Sequence, residues 1–145
     1  MSHDAPRRLG QVVGITAMAA GLALLPSTAS AQEGPISGAS YGRNGGCTTA
    51  AGTFGWELTS EARNLYRTWG TVKLTNRPSN CTSDVTGAAL QRSETSTTNR
   101  SWKWYAGIGR GQTYTFSLDD TDVRDVRFRI CNVRNGVIDG CGRVQ

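Results

Sequence analysis

The chain has 145 residues, enough for one domain but too few for a dinucleotide-binding domain with a separate substrate domain. Apolar residues make up 37% and charged residues 19%, which excludes a disordered acidic tail and a collagen-like chain. The formal net charge of +5 is modest and is not concentrated in one segment, so we do not predict nucleic-acid binding.

Residues 1–31 have the layout of a secretory signal peptide. Arg7 and Arg8 precede a charge-free, mostly apolar run from Val12 to Leu25, and Ala29 and Ala31 occupy the A-x-A positions before the expected cleavage. As a helix this run is about 21 Å long, short of the roughly 30 Å hydrocarbon core of a bilayer. We therefore expect cleavage after Ala31, no membrane anchor, and a secreted, extracellular mature chain.

Loss of this leader also removes the only histidine, His3. Ser-His-Asp and Cys-His hydrolysis, paired-histidine ribonuclease chemistry and histidine-ligated zinc all depend on an imidazole. We therefore predict that the mature protein is not an enzyme of these kinds. A pair of carboxylates, such as Glu57 with Glu61, could hydrolyse glycans without histidine and stays as the alternative.

The mature chain retains four cysteines, Cys47, Cys81, Cys131 and Cys141. No C-x2-C pair indicates a zinc site, and an even number of cysteines in an exported chain indicates two disulfides. We favour a Cys131–Cys141 pair, because Asn135-Gly136 between them is typical of a tight hairpin turn. Cys47–Cys81 follows by elimination, and the other two connectivities stay open at this point.

The mature sequence predicts a single all-β domain. Residues 32–46 are rich in Gly, Ser and Pro, which favours a flexible N-terminal segment, with the domain proper at residues 47–145. Alternating apolar residues predict strands within 54–58, 71–75, 82–91, 102–108, 114–118, 126–131 and 137–141. Six to eight short strands separated by glycine-rich turns indicate an antiparallel β-sandwich or small barrel.

Two connections and one segment carry further expectations. Apolar residues between Leu58 and Trp69 also fit helical spacing, so a short helix after the first predicted strand is an alternative. Gly109-Arg110-Gly111 is expected to join two strands of one hairpin. Residues 119–122, Asp-Asp-Thr-Asp, are expected to form a turn.

Charged residues near the end of the chain suggest two ligand sites, each with a simpler interpretation. Asp119, Asp120, Asp122 and Asp125 could provide oxygen ligands for calcium. Their spacing does not match an EF-hand, so we predict a solvated acidic segment and no metal or cofactor. The arginines at 124, 127 and 129 could form an anion-binding stripe, but the neighbouring aspartates favour a sheet face of mixed charge.

An aromatic cluster at Trp102, Trp104 and Tyr105 is the first candidate binding site, because flat rings stack on sugars and bases. Strand periodicity places Trp102 and Trp104 on one face with the apolar residues at 106 and 108. This favours packing of both tryptophans in the core. Lys103 and Tyr105 would then be the outward pair that a ligand meets.

The second candidate site is the loop that a Cys131–Cys141 disulfide would close, with Arg134 and Asn135 near its tip. A pre-ordered loop of this size could enter the primary pocket of a trypsin-like protease with little loss of entropy. It lacks the proline usually found in such inhibitor loops, and a plain structural hairpin is the alternative interpretation.

The leader, the size, two cysteine pairs and the closing pattern Phe128-Arg129-Ile130-Cys131 through Asp139-Gly140-Cys141 resemble a broad class of secreted proteins. These are the small disulfide-stapled β-proteins of unknown function from high-GC Gram-positive bacteria. The resemblance covers most of the mature chain and transfers no functional residues. We predict a secreted, non-catalytic binding protein, with a proteinase inhibitor as one form. A carbohydrate-binding or glycan-hydrolysing protein is the alternative, and the expected partner is an extracellular protein or a cell-wall glycan.

Overall fold

The computed structural model describes residues 30–94 and 101–145, so all but the last two residues of the predicted signal peptide lie outside the described part. The described residues form two antiparallel four-stranded sheets that do not close into a barrel. The strands are β1 (Gln32–Ala39), β2 (Thr48–Ser60), β3 (Leu65–Asn76), β4 (Gly87–Ser93), β5 (Lys103–Gly109), β6 (Thr113–Val123), β7 (Arg127–Arg134) and β8 (Val137–Asp139), with a 3₁₀ turn at Pro78–Asn80. The predicted all-β sandwich is confirmed.

The two sheets differ in length, and this difference determines the shape of the molecule. The long sheet has the order β1-β2-β3-β6, and the short sheet has the order β5-β4-β7-β8. Strands β2, β3 and β6 have 13, 12 and 11 residues, whereas β4, β5 and β7 have 7, 7 and 8. At about 3.3 Å per residue, the central long strands reach roughly 15 Å further than the short ones. Part of the inner face of the long sheet therefore extends beyond the short sheet.

The hydrophobic core fills the space where the sheets overlap. Its buried members alternate along their strands, as expected for sheets with one covered face. They are Ile36, Ala50, Val72, Leu74 and Leu118 from the long sheet, and Ala88, Leu90, Ala106, Ile108, Phe128 and Ile130 from the short sheet. Because both inner faces contribute large aliphatic groups, this overlap supplies most of the apolar burial in the described residues.

The prediction that the fold begins near residue 47 is wrong, because residues 32–39 form strand β1. This strand pairs with β2 along its whole length, from Gln32 opposite Trp56 to Ala39 opposite Thr49. Ile36 is only 6% exposed and belongs to the core. An edge strand needs backbone hydrogen bonds on one side and little apolar content, so a segment rich in glycine and serine can form one.

Strands β2 and β3 form a long hairpin, and the alternative of a short helix after Leu58 is wrong. The chain turns at residues 61–64, and Leu65 pairs with Ser60 at the start of β3. The two backbones approach very closely at Gly52 and Gly70, where an added Cβ would overlap a carbonyl oxygen of the opposite strand. Pairing along more than ten residues thus overrides the local helical spacing.

Two expectations around β6 are also wrong. The connection at residues 110–112 does not close a hairpin, since β5 belongs to the short sheet and β6 to the long sheet. Residues 119–122 continue β6 instead of forming a turn, and Asp119 and Asp120 pair with Trp69 and Thr68 of β3. Aspartate is unfavourable in strands, so residue propensity alone predicts a turn here. Pairing with the long strand β3 outweighs this propensity and keeps the segment extended.

The predicted disulfides, Cys47–Cys81 and Cys131–Cys141, are both confirmed. The first joins the residue before β2 to the segment that follows β3. The second fixes the end of the β7–β8 hairpin, after which the chain runs back along β7, with the Gly142 amide donating to the Ile130 carbonyl at 2.8 Å. The amide of Tyr41 donates to the Gly140 carbonyl at 3.0 Å, which ties the segment after β1 to the short sheet.

Candidate ligand-binding site

A β-bulge in β5 reverses the faces that the sequence predicts for the aromatic cluster. Leu90 pairs with Ala106, but the next residue, Gln91, pairs with Trp104, so Tyr105 is the extra residue. An extra residue in one strand shifts the in-and-out alternation by one position, so the side chains before the bulge point to the opposite face from the one that a regular strand predicts. Tyr105 consequently packs inward against Phe128, with ring centroids 6.3 Å apart, and Trp104 points outward with 53% exposure. The predicted core positions of Trp104 and of Trp102, which stacks on Arg129 instead, and the predicted outward position of Tyr105 are wrong.

Tyr105 belongs to a polar cluster that links the two sheets. The Arg92 guanidinium lies 4.8 Å from the centroid of the Tyr105 ring and donates hydrogen bonds to Asp120 and Glu94. The Tyr105 hydroxyl donates to Asp120 at 3.4 Å. Asp120 therefore accepts hydrogen bonds from a guanidinium and a phenol, and these bonds link β4, β5 and β6.

The pKa values of this cluster reflect burial and charge together. Burial raises the pKa of the Tyr105 phenol, and the adjacent Asp120 carboxylate raises it further. Burial alone would lower the pKa of Arg92, but the hydrogen bond and charge of Asp120, with the charge of Glu94, raise it above its ordinary value. Both groups therefore keep their protons at neutral pH, which maintains the link.

A concave site lined by aromatic and charged residues lies where the long sheet extends beyond the short one. We call it the end cleft; its volume is about 460 Å³. Its lining residues are Phe54, Trp56, Asn64, Tyr66, Thr68, Val123, Arg124, Asp125, Val126 and Arg127. This volume lies within the range of sites that hold small ligands.

Aromatic rings form the wall of the end cleft. Phe54 and Trp56 follow each other on the inner face of β2, with ring centroids 5.9 Å apart and an interplanar angle of 29°. Phe54 also packs edge-on against Phe128, so its far side belongs to the core. Trp56 and, on β3, Tyr66 are only half-buried because no strand of the short sheet faces them. A flat, partly uncovered aromatic surface results.

Polar groups surround this wall. Asn64 lies at the β2–β3 turn and Thr68 on β3, and both provide hydrogen-bonding side chains. Arg124 and Arg127 come from the β6–β7 connection and the start of β7, where Arg127 donates to Asp125 at 3.1 Å. Asp125 is the one carboxylate among the described lining residues. The end cleft therefore combines aromatic faces with several donors and a single carboxylate that already has a partner.

The carboxylates proposed from the sequence for glycan hydrolysis do not meet in this cleft. Glu57 forms an ion pair with Arg67 at 3.9 Å, and Arg67 in turn lies 3.6 Å from Asp119. These three residues project from the long sheet on the face opposite Trp56. Glu61 lies in the exposed β2–β3 turn. No pair of described carboxylates thus faces across the end cleft at the separation that glycosidases use.

A second surface, which we call the outer-face patch, consists of Trp102, Trp104, Gln91 and Arg129. Trp104, Gln91 and Arg129 lie side by side on neighbouring strands, on the face of the short sheet that points away from the core. The Arg129 guanidinium stacks 4.3 Å from the centroid of the Trp102 ring. The Trp104 ring packs against Gly107, where an added Cβ would overlap it. Lys103 is exposed at the neighbouring edge.

The β7–β8 hairpin carries the other sequence-predicted candidates. Asn135 and Gly136 form its turn with positive φ angles of 49° and 80°, and Asn135 is exposed. Arg134 forms ion pairs with Asp84 and, at 2.8 Å, with Asp139. The Thr82 hydroxyl and the Arg134 guanidinium lower the pKa of Asp84. A protease pocket would have to replace both carboxylates to bind Arg134.

Among the described residues, no group of three or more His, Cys, Asp or Glu side chains could hold a metal ion. The same part of the chain contains no helix with the length and apolar character needed to cross a bilayer.

Sequence reasoning missed the end cleft, although its residues are visible in the sequence. The strand predicted at 54–58 places Phe54 and Trp56 on one face, as the structure shows, whereas Tyr66 lies in the segment that also fits helical spacing. The excess length of β2, β3 and β6 was the missing signal.

Comparison of the chain with known protein families, curated proteins and solved structures gave no match.

Proposed function

We propose that this protein is a secreted, non-catalytic binding protein that holds a carbohydrate ring in the end cleft. The observation that carries the proposal is the half-buried state of Trp56 and Tyr66, two large aromatic side chains beside hydrogen-bonding groups in a concave site. Folding alone favours covering such rings, because each buries a large apolar area.

The chemistry of the cleft suits sugars better than purely apolar ligands. A sugar ring has an apolar C–H face that stacks on an aromatic face, and hydroxyl groups at its edge that accept and donate hydrogen bonds. The wall of Trp56 and Tyr66 fits the first property, and the exposed lining side chains of Asn64 and Arg124 fit the second. Sites of this kind use a few placed polar groups for orientation.

Binding rather than hydrolysis is supported by the distribution of carboxylates. Hydrolysis of a glycosidic bond ordinarily needs two carboxyl groups on opposite sides of the bond. Among the described residues that line the end cleft, only Asp125 is acidic, and it accepts a hydrogen bond from Arg127.

Secretion is supported by three features of the chain. Residues 1–31 have the layout of a signal peptide, and β1 begins at Gln32, immediately after the expected cleavage. Cleavage there would remove no residue of the described sheets. All four cysteines of the domain form disulfides, which persist in oxidising compartments.

The proposal can be tested by isothermal titration calorimetry of the purified protein with neutral oligosaccharides of glucose, xylose, mannose and N-acetylglucosamine. We expect at least one to bind, and Trp56→Ala to weaken that binding at least tenfold. Trp69→Ala is the matched control, because Trp69 lies on the opposite face of the long sheet and donates to Glu33 at 2.9 Å. It should change affinity by less than twofold.

Two results would refute carbohydrate binding in the end cleft. One is the absence of heat for every oligosaccharide at millimolar concentration. The other is a folded Trp56→Ala variant, verified by circular dichroism, that binds as well as the unsubstituted protein.

A further inference from the structure

The described chain contains three arginines that are partly buried, and one of them differs from the other two. Arg92 bonds to the carboxylates of Asp120 and Glu94, and Arg134 pairs with those of Asp84 and Asp139. Arg129 is also partly buried, yet it forms no ion pair with a described carboxylate. Partly buried cations are normally paired, because burial without a counter-charge is unfavourable.

The surroundings of Arg129 hold its guanidinium in one orientation. Its Nε donates to Oε1 of Gln91 at 2.9 Å, and Gln91 is itself only 7% exposed. Its plane lies 4.3 Å from the centroid of the Trp102 ring. A guanidinium has five N–H donors, so this arrangement fixes one and leaves the two terminal nitrogens without a described partner.

Burial lowers the pKa of Arg129, but arginine remains protonated at every physiological pH. A fixed, partly desolvated guanidinium whose terminal nitrogens have no partner among residues 30–94 and 101–145 offers two parallel donors to an oxyanion. Within that part of the chain its side-chain partner is a neutral amide, Gln91, and no carboxylate balances its charge.

Trp104 adds a ring surface in the same row. It lies opposite Gln91, which lies opposite Arg129, so the three side chains share one face over three strands. Trp104 contacts Gly107, and with 53% exposure about half of this residue is accessible to a ligand. The backbones of β5 and β7 are two strand spacings apart, roughly 10 Å. A ligand that contacts both side chains therefore needs a negative group toward Arg129 and a flat ring toward Trp104.

We infer that the outer-face patch binds a sugar that carries an oxyanion, with Arg129 holding the anionic group and Trp104 stacking on the ring. Lys103, exposed at the neighbouring edge, increases the positive potential. The inference does not depend on the end cleft, which lies at the end of the long sheet and is lined by other residues.

Binding can be measured by titrating the purified protein with glucuronate, glucose 6-phosphate, glucose and acetate, following tryptophan fluorescence and calorimetric heat. We expect the two charged sugars to bind at least tenfold more tightly than glucose or acetate. The stronger of the two identifies the anion as carboxylate or phosphate. Equal affinity for the preferred charged sugar and glucose, or for that sugar and acetate, would overturn the inference, since charge or ring would then contribute nothing.

Variants separate a binding role from overall charge. Arg129→Met should weaken binding of the preferred charged sugar at least tenfold, and Arg129→Lys should weaken it severalfold, because lysine keeps the charge but loses the planar fork. Arg77→Met removes the same charge from an exposed position and should change affinity less than twofold. Equal losses in the Arg77 and Arg129 variants would reduce the effect to general electrostatics and refute the site.

A second readout guards against simple misfolding. Without ligand, Arg129→Met should melt at the same temperature as the unsubstituted protein or higher, because it removes a partly desolvated cation that has no carboxylate. A strongly lowered melting temperature would show that Arg129 serves the fold, and this would contradict the inference. Trp56→Ala should leave the affinity for charged sugars unchanged, so failure of the end-cleft proposal is distinguishable from failure here.

Discussion

At the scale of single residues, the bulge at Tyr105 decides what each face of β5 presents. Without the extra residue, Trp104 would point into the core with Ala106 and Ile108, and Tyr105 would face solvent. With it, the tyrosine reaches Arg92 and Asp120 between the sheets, and the tryptophan joins the outer-face patch. One inserted residue thus supplies both a link between the sheets and an exposed aromatic ring.

A pair of substitutions on β5 tests this assignment of faces. Trp104→Gln should reduce the free energy of unfolding by about 2 kcal/mol, because the buried half of the ring no longer contributes apolar burial. The new amide stays in contact with water and needs no protein partner. Ile108→Gln should cost at least about twice as much, since Ile108 is 8% exposed and the amide would be buried without a partner. Urea denaturation of both variants measures the difference. A larger loss for the Trp104 variant would contradict the outward orientation.

The raised pKa of Tyr105 predicts how stability depends on alkaline pH. The folded state favours the protonated phenol, so its contribution is complete below the unfolded pKa of about 10 and is lost as pH rises through the higher folded pKa. The unsubstituted protein should therefore lose stability more steeply above about pH 10 than Tyr105→Phe. Urea denaturation at several pH values gives the slopes. In an ultraviolet titration at alkaline pH, the ionisation step of Tyr105 should be missing from the variant. Identical slopes together with an unchanged titration curve would show this prediction wrong.

At the scale of elements, the β2–β3 hairpin creates the end cleft by its length. Its strands have 13 and 12 residues and continue past the end of β4 and the start of β7, where Ser93 pairs with Arg127. Gly52 and Gly70 allow the two backbones to approach closely within this hairpin. Glycine within strands commonly marks such close approaches, where any Cβ would force the strands apart.

Alanine substitutions at two glycines separate this requirement from the general effect of glycine in strands. Gly52→Ala should lower the free energy of unfolding by about 2 kcal/mol or more, because its Cβ would overlap the Thr71 carbonyl and backbone would have to move. Gly34→Ala is the control in the same sheet, where the nearest atom is in Trp56 at 3.9 Å. It should be neutral or stabilising by about 0.5 kcal/mol, since alanine loses less backbone entropy on folding. Chemical denaturation of both proteins measures the two values, and equal effects would refute close packing at Gly52.

At the scale of the whole molecule, two disulfides close loops of different length. The Cys47–Cys81 bond spans 34 positions and encloses β2 and β3, whereas Cys131–Cys141 spans 10 positions and encloses the β7–β8 hairpin. In the chain-entropy model the stabilisation grows with the length of the closed loop, because a longer loop has more unfolded conformations to lose. The first bond should therefore stabilise the sandwich more.

Replacing each pair by serines tests this difference. The model gives losses of about 3.8 kcal/mol for Cys47→Ser with Cys81→Ser, and about 2.7 kcal/mol for Cys131→Ser with Cys141→Ser. Guanidinium denaturation under identical conditions measures both. The reverse order of stability would show that contacts of the folded state, and not loop length, dominate the contribution of these bonds.

Alternation and turn patterns in the chain predict the fold class and the central parts of most strands, and they favour the disulfide pairing that the structure shows. These features depend on local information: alternation of apolar residues at Phe54, Val72 or Ile130, and the Asn135-Gly136 turn that brings two cysteines together. Long-range strand pairing, which local patterns do not reveal, places residues 32–39 in β1, puts β5 and β6 in different sheets and creates the bulge at Tyr105. Strand partners and strand lengths are set by hydrogen bonds between residues distant in sequence. Since both candidate surfaces arise from overhang and register, no local pattern specified them.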